Sequence, residues 1–162
     1  ALQSEYSIWT RGIEEEILPT CRELNITFVA YSPLGRGMVP TTRNAAGFSF
    51  EQGDFRLSLE RATPENFANN TALFKLLYDY ADMLTITPFQ LMLAWLMAQG
   101  DDIIPIPGTR KVTRIKENVF ASEFKLPEDV KDKLTAAFAT TNVSGGRYTV
   151  NKSVTENATA MS

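Results

Sequence analysis

The sequence predicts an α/β fold with parallel strands, and three observations support this prediction. Short apolar, β-rich runs occur at residues 26–30 and 103–106, and each ends in a turn that contains glycine. Segments with helical periodicity separate the runs, as in βαβ units. The second turn opens a helix that carries basic residues. Two such turns in order are typical of the last strands of a (β/α)8 barrel that holds a phosphorylated ligand. We therefore expect the C-terminal part of such a barrel, about its last three strands with their helices.

The first elements follow from local patterns. Residues 1–6 have the composition of the end of a strand. Apolar residues recur at helical spacing over residues 10–24, with three glutamates early, where the helix dipole favours acids. Residues 26–30 form a continuous apolar run, which predicts a strand buried on both faces.

The middle of the chain is less regular. Residues 38–70 lack sustained periodicity and contain glycines and prolines, so we expect a long loop there. An apolar face then predicts a helix over residues 71–84. Thr87 followed by proline, with Gln90 three residues on, marks the start of another helix. That helix, to about residue 99, is apolar on nearly every side and should be buried.

The last elements are a strand, two helices and a tail. The strand at residues 103–106 is short and contains Pro105, which the end of a barrel strand would tolerate. A helix is expected over residues 111–120, and another begins at Pro127. The residues expected to face inward on these two helices are Val112, Ile115, Val119, Val130, Leu134 and Phe138.

Length limits the architecture. A chain of 162 residues ordinarily forms one domain, whereas a complete barrel needs about 250 residues. We therefore expect residues 1–148 to be part of a barrel, followed by a polar tail at 149–162 that is disordered.

Charge and cysteine content restrict the class of protein. The chain has 16 basic and 19 acidic residues and a net charge of −3, which argues against a nucleic-acid or anionic-membrane binder. No apolar stretch is long enough to cross a membrane. A single cysteine, Cys21, cannot form an internal disulfide and lies on an apolar stripe. These features favour a reducing compartment, the cytoplasm.

The sequence contains no histidine. This excludes Ser-His-Asp and Cys-His catalysis and histidine-containing metal sets within the chain. Adjacent carboxylates such as Asp101 and Asp102 are typical of solvated surface charge. The chain therefore offers few groups for acid-base chemistry.

The turn at Gly108 has the composition of an anion site. An apolar strand precedes it, and the helix that follows carries Arg110, Lys111 and Arg114. Helix N-terminal amides and these charges favour a phosphate, although basic residues on a helix are also typical of a solvated face. The turn lacks the P-loop pattern, and Gly35-Arg-Gly37 is only part of a dinucleotide fingerprint. Tyr31 and Gln3 fit a planar ring ligand or ordinary packing equally well.

Four motifs in order resemble the C-terminal portion of the aldo-keto reductases, which are NADP-dependent (β/α)8-barrel enzymes that reduce aldehydes and ketones. The motifs are Gln3-Ser-Glu-Tyr-Ser7, Tyr31-Ser-Pro-Leu-Gly-Arg-Gly37, Thr87-Pro-Phe-Gln-Leu-Met-Leu-Ala-Trp-Leu96 and Ile104-Pro-Ile-Pro-Gly-Thr-Arg-Lys111.

The resemblance implies a set of cofactor contacts. Gln3 would bind the nicotinamide carboxamide, and Tyr31 would stack on the nicotinamide ring. The loop over the pyrophosphate would contain Ser32, Leu34, Gly35 and Arg36. The 2′-phosphate and its ribose would be held by Gly108, Thr109, Arg110 and Arg114. The adenine would lie at Glu117 and Asn118.

The resemblance also implies that the catalytic Asp, Tyr, Lys and His of the family lie on strands that precede this segment. We therefore expect no catalytic residue here and no activity from the segment alone. Its partners would be NADPH, a small carbonyl substrate, and either the N-terminal half-barrel or a second chain. The alternatives are an NADP-binding regulatory subunit, like the channel β-subunits of the same superfamily, or an inactive truncated chain.

Overall fold

Three parallel strands form the sheet of this protein. We describe a computed structural model of the chain, which covers residues 1–43 and 48–149. The strands are β1 (Leu2–Glu5), β2 (Phe28–Tyr31) and β3 (Ile103–Pro105), and β2 lies in the middle. The register places Glu5 beside Tyr31, and Ala30 beside Pro105. The carboxyl ends of the strands therefore meet at one edge, as the sequence predicted.

Six α-helices and several short 3-10 turns complete the described part of the chain. The helices are α1 (Ile17–Glu23), α2 (Pro64–Asn69), α3 (Thr71–Leu84), α4 (Pro88–Met97), α5 (Val112–Glu123) and α6 (Glu128–Ala137). The 3-10 turns are Gly12–Glu14, Gly35–Gly37, Phe55–Ser58 and Glu60–Ala62.

The helix predicted over residues 10–24 is shorter in the structure. Helix α1 begins only at Ile17, and a 3-10 turn occupies Gly12–Glu14. The backbones of Ser7 and Thr10 exchange two hydrogen bonds, at 3.2 and 3.0 Å. This closed turn directs the chain away from the strand before the helix can start.

The loop predicted over residues 38–70 contains regular structure. Helix α2 occupies its end, and residues 44–47 lie outside the described part. Thr63 caps α2, because its hydroxyl accepts a hydrogen bond from the Asn66 amide at 3.3 Å. Pro64 stands at the first helical position. The same Thr-Pro signal predicted α4 correctly, so α2 was identifiable from the sequence.

Helix α4 is the centre of the core, as its apolar composition predicted. Its residues from Leu91 to Leu96 are buried. Thr87 and Gln90 form the expected capping box. The indole Nε1 of Trp95 donates to Thr135 Oγ1 at 3.0 Å, which ties α4 to α6.

The two faces of the sheet differ in burial. On β2, Phe28 and Ala30 are buried, whereas Val29 and Tyr31 are only partly buried. The prediction that this strand is buried on both faces is therefore wrong for this chain. The helices cover the face of Phe28 and Ala30, and the described residues leave the opposite face partly open.

The inward face of α5 was also predicted wrongly. Val112, Ile115 and Val119 are 69%, 50% and 56% exposed. They form an apolar stripe at helical spacing that no described element covers. Helix α6 follows its prediction, since its apolar side is buried at Val130 and Leu134.

Two further predictions concern the surface and the chain end. Cys21 is buried, as expected for a small apolar residue. Residues 150–162, nearly all of the predicted tail, lie outside the described part of the chain. Among the helices of the described part, none has the length and apolar character needed to cross a membrane.

Candidate cofactor site

Two cavities lie side by side at the carboxyl edge of the sheet. The larger is about 470 Å³ and the smaller about 240 Å³. They share four lining residues: Leu34, Gly37, Phe89 and Gly108. The two cavities therefore adjoin between the turn after β2 and the turn after β3, and Gly108 contributes to the lining of both.

The larger cavity contains the end of β2. Tyr31, Ser32 and Arg36 line it together with Ile106. Partial burial raises the pKa of Tyr31, and a hydrogen bond with the hydroxyl of Tyr148 raises this pKa further. The Tyr31 phenol therefore stays protonated at neutral pH and presents a neutral ring to the cavity.

The first turns of α5 line the smaller cavity. Thr109, Arg114, Glu117 and Asn118 line it. Arg114 Nη1 lies 2.5 Å from Glu117 Oε2, and the guanidinium lies 4.9 Å from the ring centre of Phe89. These two contacts hold the guanidinium at the cavity wall. A guanidinium has five N–H donors, so the group can still donate to an anion in the cavity.

Glu117 links this cavity to the core helix. Its carboxylate accepts a hydrogen bond from the Thr87 hydroxyl as well as from Arg114. Thr87 is the capping residue of α4. The start of the buried helix α4 and the wall of the cavity are therefore held by one hydrogen-bonded chain.

The start of α5 offers backbone donors. No side chain caps the first turn of this helix. The Thr109 hydroxyl accepts a hydrogen bond from the Lys111 amide at 3.2 Å and so orders the turn that enters the helix. A helix N-terminus with basic neighbours favours an anion.

The turn after β2 has unusual backbone angles. Ser32 and Arg36 have φ values of 51° and 59°, and Gly35 and Gly37 have 55° and 68°. Left-handed angles are unfavourable for residues with a Cβ. Gly35 and Gly37 adopt these angles without steric strain, whereas Ser32 and Arg36 are strained.

Gly35 lies behind the cavity rather than in its lining. A Cβ at Gly35 would stand 2.6 Å from Cδ1 of Trp9, so only glycine fits against the indole. The structure therefore gives Gly35 a packing role and does not place it in direct reach of a ligand.

Gln3 and Arg110 also lie outside the lining of both cavities. Both are exposed. Gln3 lies on β1 beside Val29, on the same face of the sheet as Tyr31. Arg110 precedes α5 on the turn that forms the rim of the smaller cavity.

Arg36 is paired within the protein. Its Nη2 lies 2.6 Å from Oε2 of Glu5, whose side chain is only 1% exposed. Arg36 still lines the larger cavity. The sequence pattern could not show this pair, because the two residues belong to different strands and turns.

Residues that the sequence reasoning missed complete the site. Phe89 lines both cavities and Arg56 lines the smaller one. Arg56 Nη1 donates to the Gly37 carbonyl at 3.0 Å. Tyr148 lies beside the larger cavity, since its side chain hydrogen-bonds with Tyr31 and its ring centre lies 5.6 Å from the Arg36 guanidinium. Phe89 stands within the motif that starts at Thr87, whereas no local signal identifies Arg56 or Tyr148.

The lining of the two cavities suits a ligand with aromatic and anionic parts. In the described ranges no group of His, Cys, Asp or Glu is arranged to hold a metal ion. The cavities instead combine an aromatic wall, glycine turns and one helix N-terminus flanked by arginine. Such a surface suits a flat ring joined to an anionic group.

A parallel sheet with cavities between the turns at its carboxyl edge occurs in (β/α)8-barrel proteins. The chain belongs to the aldo/keto reductase family, whose family model matches residues 1–138. This match confirms the family that the four motifs indicated.

Relatives support the same assignment. The chain is 42% identical over 151 residues to the aldo-keto reductase yakc (NADP(+)) of Schizosaccharomyces pombe, and the match covers 91% of this chain and 44% of that protein. The chain thus spans less than half the length of the curated relative.

Solved structures show the fold. The glycerol dehydrogenase AKR11B4 from Gluconobacter oxydans superposes with a TM-score of 0.73 at 22% identity, over 85% of this chain and 42% of that one. An aldo/keto reductase from Klebsiella pneumoniae in complex with NADP and acetate gives 0.58 at 22% identity, over 84% and 38%. The three-stranded sheet is therefore the C-terminal part of a (β/α)8 barrel, as predicted.

Proposed function

We propose that this chain supplies the NADP-binding part of an oxidoreductase that reduces aldehydes and ketones to alcohols. The observation that carries the proposal is the pair of adjoining cavities that share Gly108 in their lining. One has the Tyr31 ring at its wall, and the other has Arg114 at the start of α5. A dinucleotide has the same sequence of parts, with a flat ring at one end and a phosphorylated adenosine at the other.

The smaller cavity suits the adenosine end. The 2′-phosphate would lie at the Gly108–Thr109 turn and Arg114, and the adenine would lie beside Glu117 and Asn118. Arg114 is held at the wall by Glu117 and Phe89, so its charge is already oriented. A preoriented guanidinium loses less entropy on binding and favours the cofactor that carries the extra phosphate. We assign Arg110 a supporting role at the rim.

The larger cavity suits the nicotinamide end. Tyr31 offers a neutral ring for stacking, and Ser32 and Leu34 lie on the turn that would cover the pyrophosphate. Gln3 lies on the same sheet face, where its amide would reach the carboxamide. When bound, NADPH supplies a hydride to the carbonyl carbon.

Proton donation to the carbonyl oxygen is the part of the reaction that this chain does not provide. We assign none of the family's Asp, Tyr, Lys and His to residues of this sequence, which contains no histidine. We therefore expect that residues 1–162 alone do not reduce a carbonyl at a measurable rate.

The uncovered surfaces support a partner for this segment, either an N-terminal half-barrel or a second chain. The stripe at Val112, Ile115 and Val119 is exposed, and so are Ile104 and Ile106 near β3. Several exposed apolar residues on neighbouring elements are typical of an interface. In a complete barrel these residues would be covered by further strands and helices.

A nucleotide-binding regulatory subunit is the second candidate, together with an inactive truncated chain. Coding sequence upstream that lacks a Tyr and a Lys on the preceding strands would favour it. Coding sequence upstream that places a Tyr and a Lys on preceding strands would favour the enzyme instead.

Titration of NADPH fluorescence against the full chain tests the cofactor assignment. We expect saturable binding that is at least 10-fold tighter for NADPH than for NADH. Equal affinities would contradict the phosphate site. In the same samples, consumption of NADPH with an aldehyde above a no-protein control would contradict the expectation that this segment is inactive alone.

A further inference from the structure

The Glu5–Arg36 pair stands at one of the two non-glycine residues with left-handed backbone in the turn after β2. Arg36 has a φ of 59° inside the Gly35–Gly37 turn. Its guanidinium lies 2.6 Å from Glu5, and the two side chains are 17% and 1% exposed. An ion pair so far removed from solvent is screened little by salt.

Glu5 is held by more than Arg36. The Thr10 hydroxyl donates to Glu5 Oε1 at 3.2 Å, and Arg61 Nη1 donates to the same hydroxyl at 3.3 Å. Burial lowers the pKa of Arg61, and the charge of Glu5 opposes this shift. The Glu5 carboxylate is therefore held in position by the loop after β1 independently of its contact with Arg36.

The turn has a second anchor on its opposite side. Arg56 Nη1 donates to the Gly37 carbonyl, and Asp54 holds Arg56 at 2.6 Å. Glu5 thus contacts the side chain of Arg36 in the turn, while Arg56 contacts the backbone carbonyl of Gly37. Between these anchors, left-handed angles persist at positions where they cost energy.

We propose that Glu5 is a positioning residue, which through Arg36 holds the Ser32–Gly37 turn in the shape that receives the cofactor pyrophosphate. The inference rests on the proposed function, and it changes the role of Arg36. The charge of Arg36 serves the turn, because its side chain is only 17% exposed and lies between Glu5 and the Tyr148 ring, whereas the side chain of Arg114 is 41% exposed. Contact with the pyrophosphate then comes from the backbone of the turn.

The first experiment needs no cofactor. The amides of Gly35, Gly37 and Met38 donate within the turn, so their hydrogen exchange reports its closure. In Glu5→Gln we expect at least 10-fold faster exchange at these amides and unchanged exchange at Leu91 in α4. Asp129→Asn removes the carboxylate of an exposed pair with Lys133 and is the matched control. Unchanged exchange in Glu5→Gln would overturn the inference.

The second experiment uses the sign of a change in affinity. We expect Glu5→Gln to weaken NADPH binding about 10-fold. If Arg36 instead bound the pyrophosphate directly, removal of its competitor Glu5 would tighten NADPH binding, and that outcome would overturn the inference. Binding of 2′-AMP should weaken much less, since its phosphate would lie at Thr109 and Arg114, which do not belong to the turn. An equal loss of both ligands would indicate general damage and would also contradict the proposal.

Two double variants separate backbone shape from charge. Glu5→Gln with Arg36→Gly and Glu5→Gln with Arg36→Ala both lack the ion pair, but only glycine accepts a φ of 59° without strain. We expect the glycine version to recover NADPH affinity and slow exchange to within about 2-fold of the unaltered chain, whereas the alanine version does not. Equal behaviour of the two would overturn the proposal. If the unaltered chain does not bind NADPH, the proposed function fails, while the exchange measurements still decide whether Glu5 holds the turn.

Discussion

Asn70 and Ser144 bind each other through two hydrogen bonds. Asn70 Nδ2 donates to the Ser144 carbonyl at 2.9 Å, and the Ser144 amide donates to Asn70 Oδ1 at 2.9 Å. Asn70 is fully buried between α2 and α3. This pair fastens the segment that follows α6 onto the helices and so brings Tyr148 to the cavity of Tyr31.

Replacement of Asn70 by Ala should therefore destabilise the protein by about 2 kcal/mol, because it leaves partly buried backbone groups of Ser144 without these partners. Denaturant unfolding measures this change. Asn69→Ala is the control, since Asn69 makes only one exposed contact with Ser144, at 3.3 Å. Equal losses in the two variants would show that the paired geometry is unimportant.

Replacement of Arg114 by Ala should weaken NADPH binding about 10- to 100-fold, which corresponds to about 1.5–3 kcal/mol for a charge-assisted contact. NADH lacks the 2′-phosphate, so its affinity should change little. Fluorescence titration of both cofactors measures the difference. Lys116→Ala removes an exposed charge from the same helix and should leave both affinities unchanged. Equal losses of NADPH and NADH affinity in Arg114→Ala would remove the 2′-phosphate assignment.

Replacement of Gly35 by Ala should destabilise the protein by about 2–4 kcal/mol, since the new Cβ would both overlap Trp9 and occupy a left-handed backbone. Two other glycines divide these causes. Gly53 has a φ of 87° with open space around it, and Gly12 has open space with no such angle. We expect about 1 kcal/mol for Gly53→Ala and almost none for Gly12→Ala, as measured by chemical unfolding. A Gly35→Ala loss no larger than that of Gly53→Ala would mean that contact with Trp9 is harmless.

The lowered pKa of Asp54 should make part of the stability of the fold depend on pH at low pH. Hydrogen bonds from Arg56 lower this pKa from 3.8 to about 2. A carboxyl whose pKa is lower in the folded state stabilises the fold fully above pH 3.8, and this contribution is lost as pH falls through about 2. The Arg56 amide shift in NMR should titrate with that midpoint and should not titrate in Asp54→Asn. A midpoint near 3.8 would contradict the pairing.

Local patterns predicted most of the secondary structure. Thr87 and Gln90 marked the start of α4, and the acids after Pro127 marked α6. These signals act within one helical turn, so a sequence displays them directly. The Thr63-Pro64 signal of α2 was equally local and was overlooked within a segment interpreted as a loop.

Contacts between distant residues could not be predicted in this way. Glu5 and Arg36 meet because β1 and β2 lie in register, and Tyr148 reaches Tyr31 only after the chain has returned across α2 and α3. The exposed stripe on α5 misled for a related reason. Periodicity shows that one side of a helix is apolar, but it does not tell which partner covers that side.

The sheet described above has β2 in its centre, so β1 and β3 each present an outer row of backbone donors and acceptors. A barrel completed by a second segment must consequently form new strand pairs at both edges of this sheet, along β1 and along β3. An added strand that paired with β1 one residue out of register would place the wrong side chains beside Gln3 and Glu5, because side chains alternate between the two faces of a sheet. Correct pairing along Leu2–Glu5 would thereby keep Glu5 directed at Arg36 in the assembled barrel.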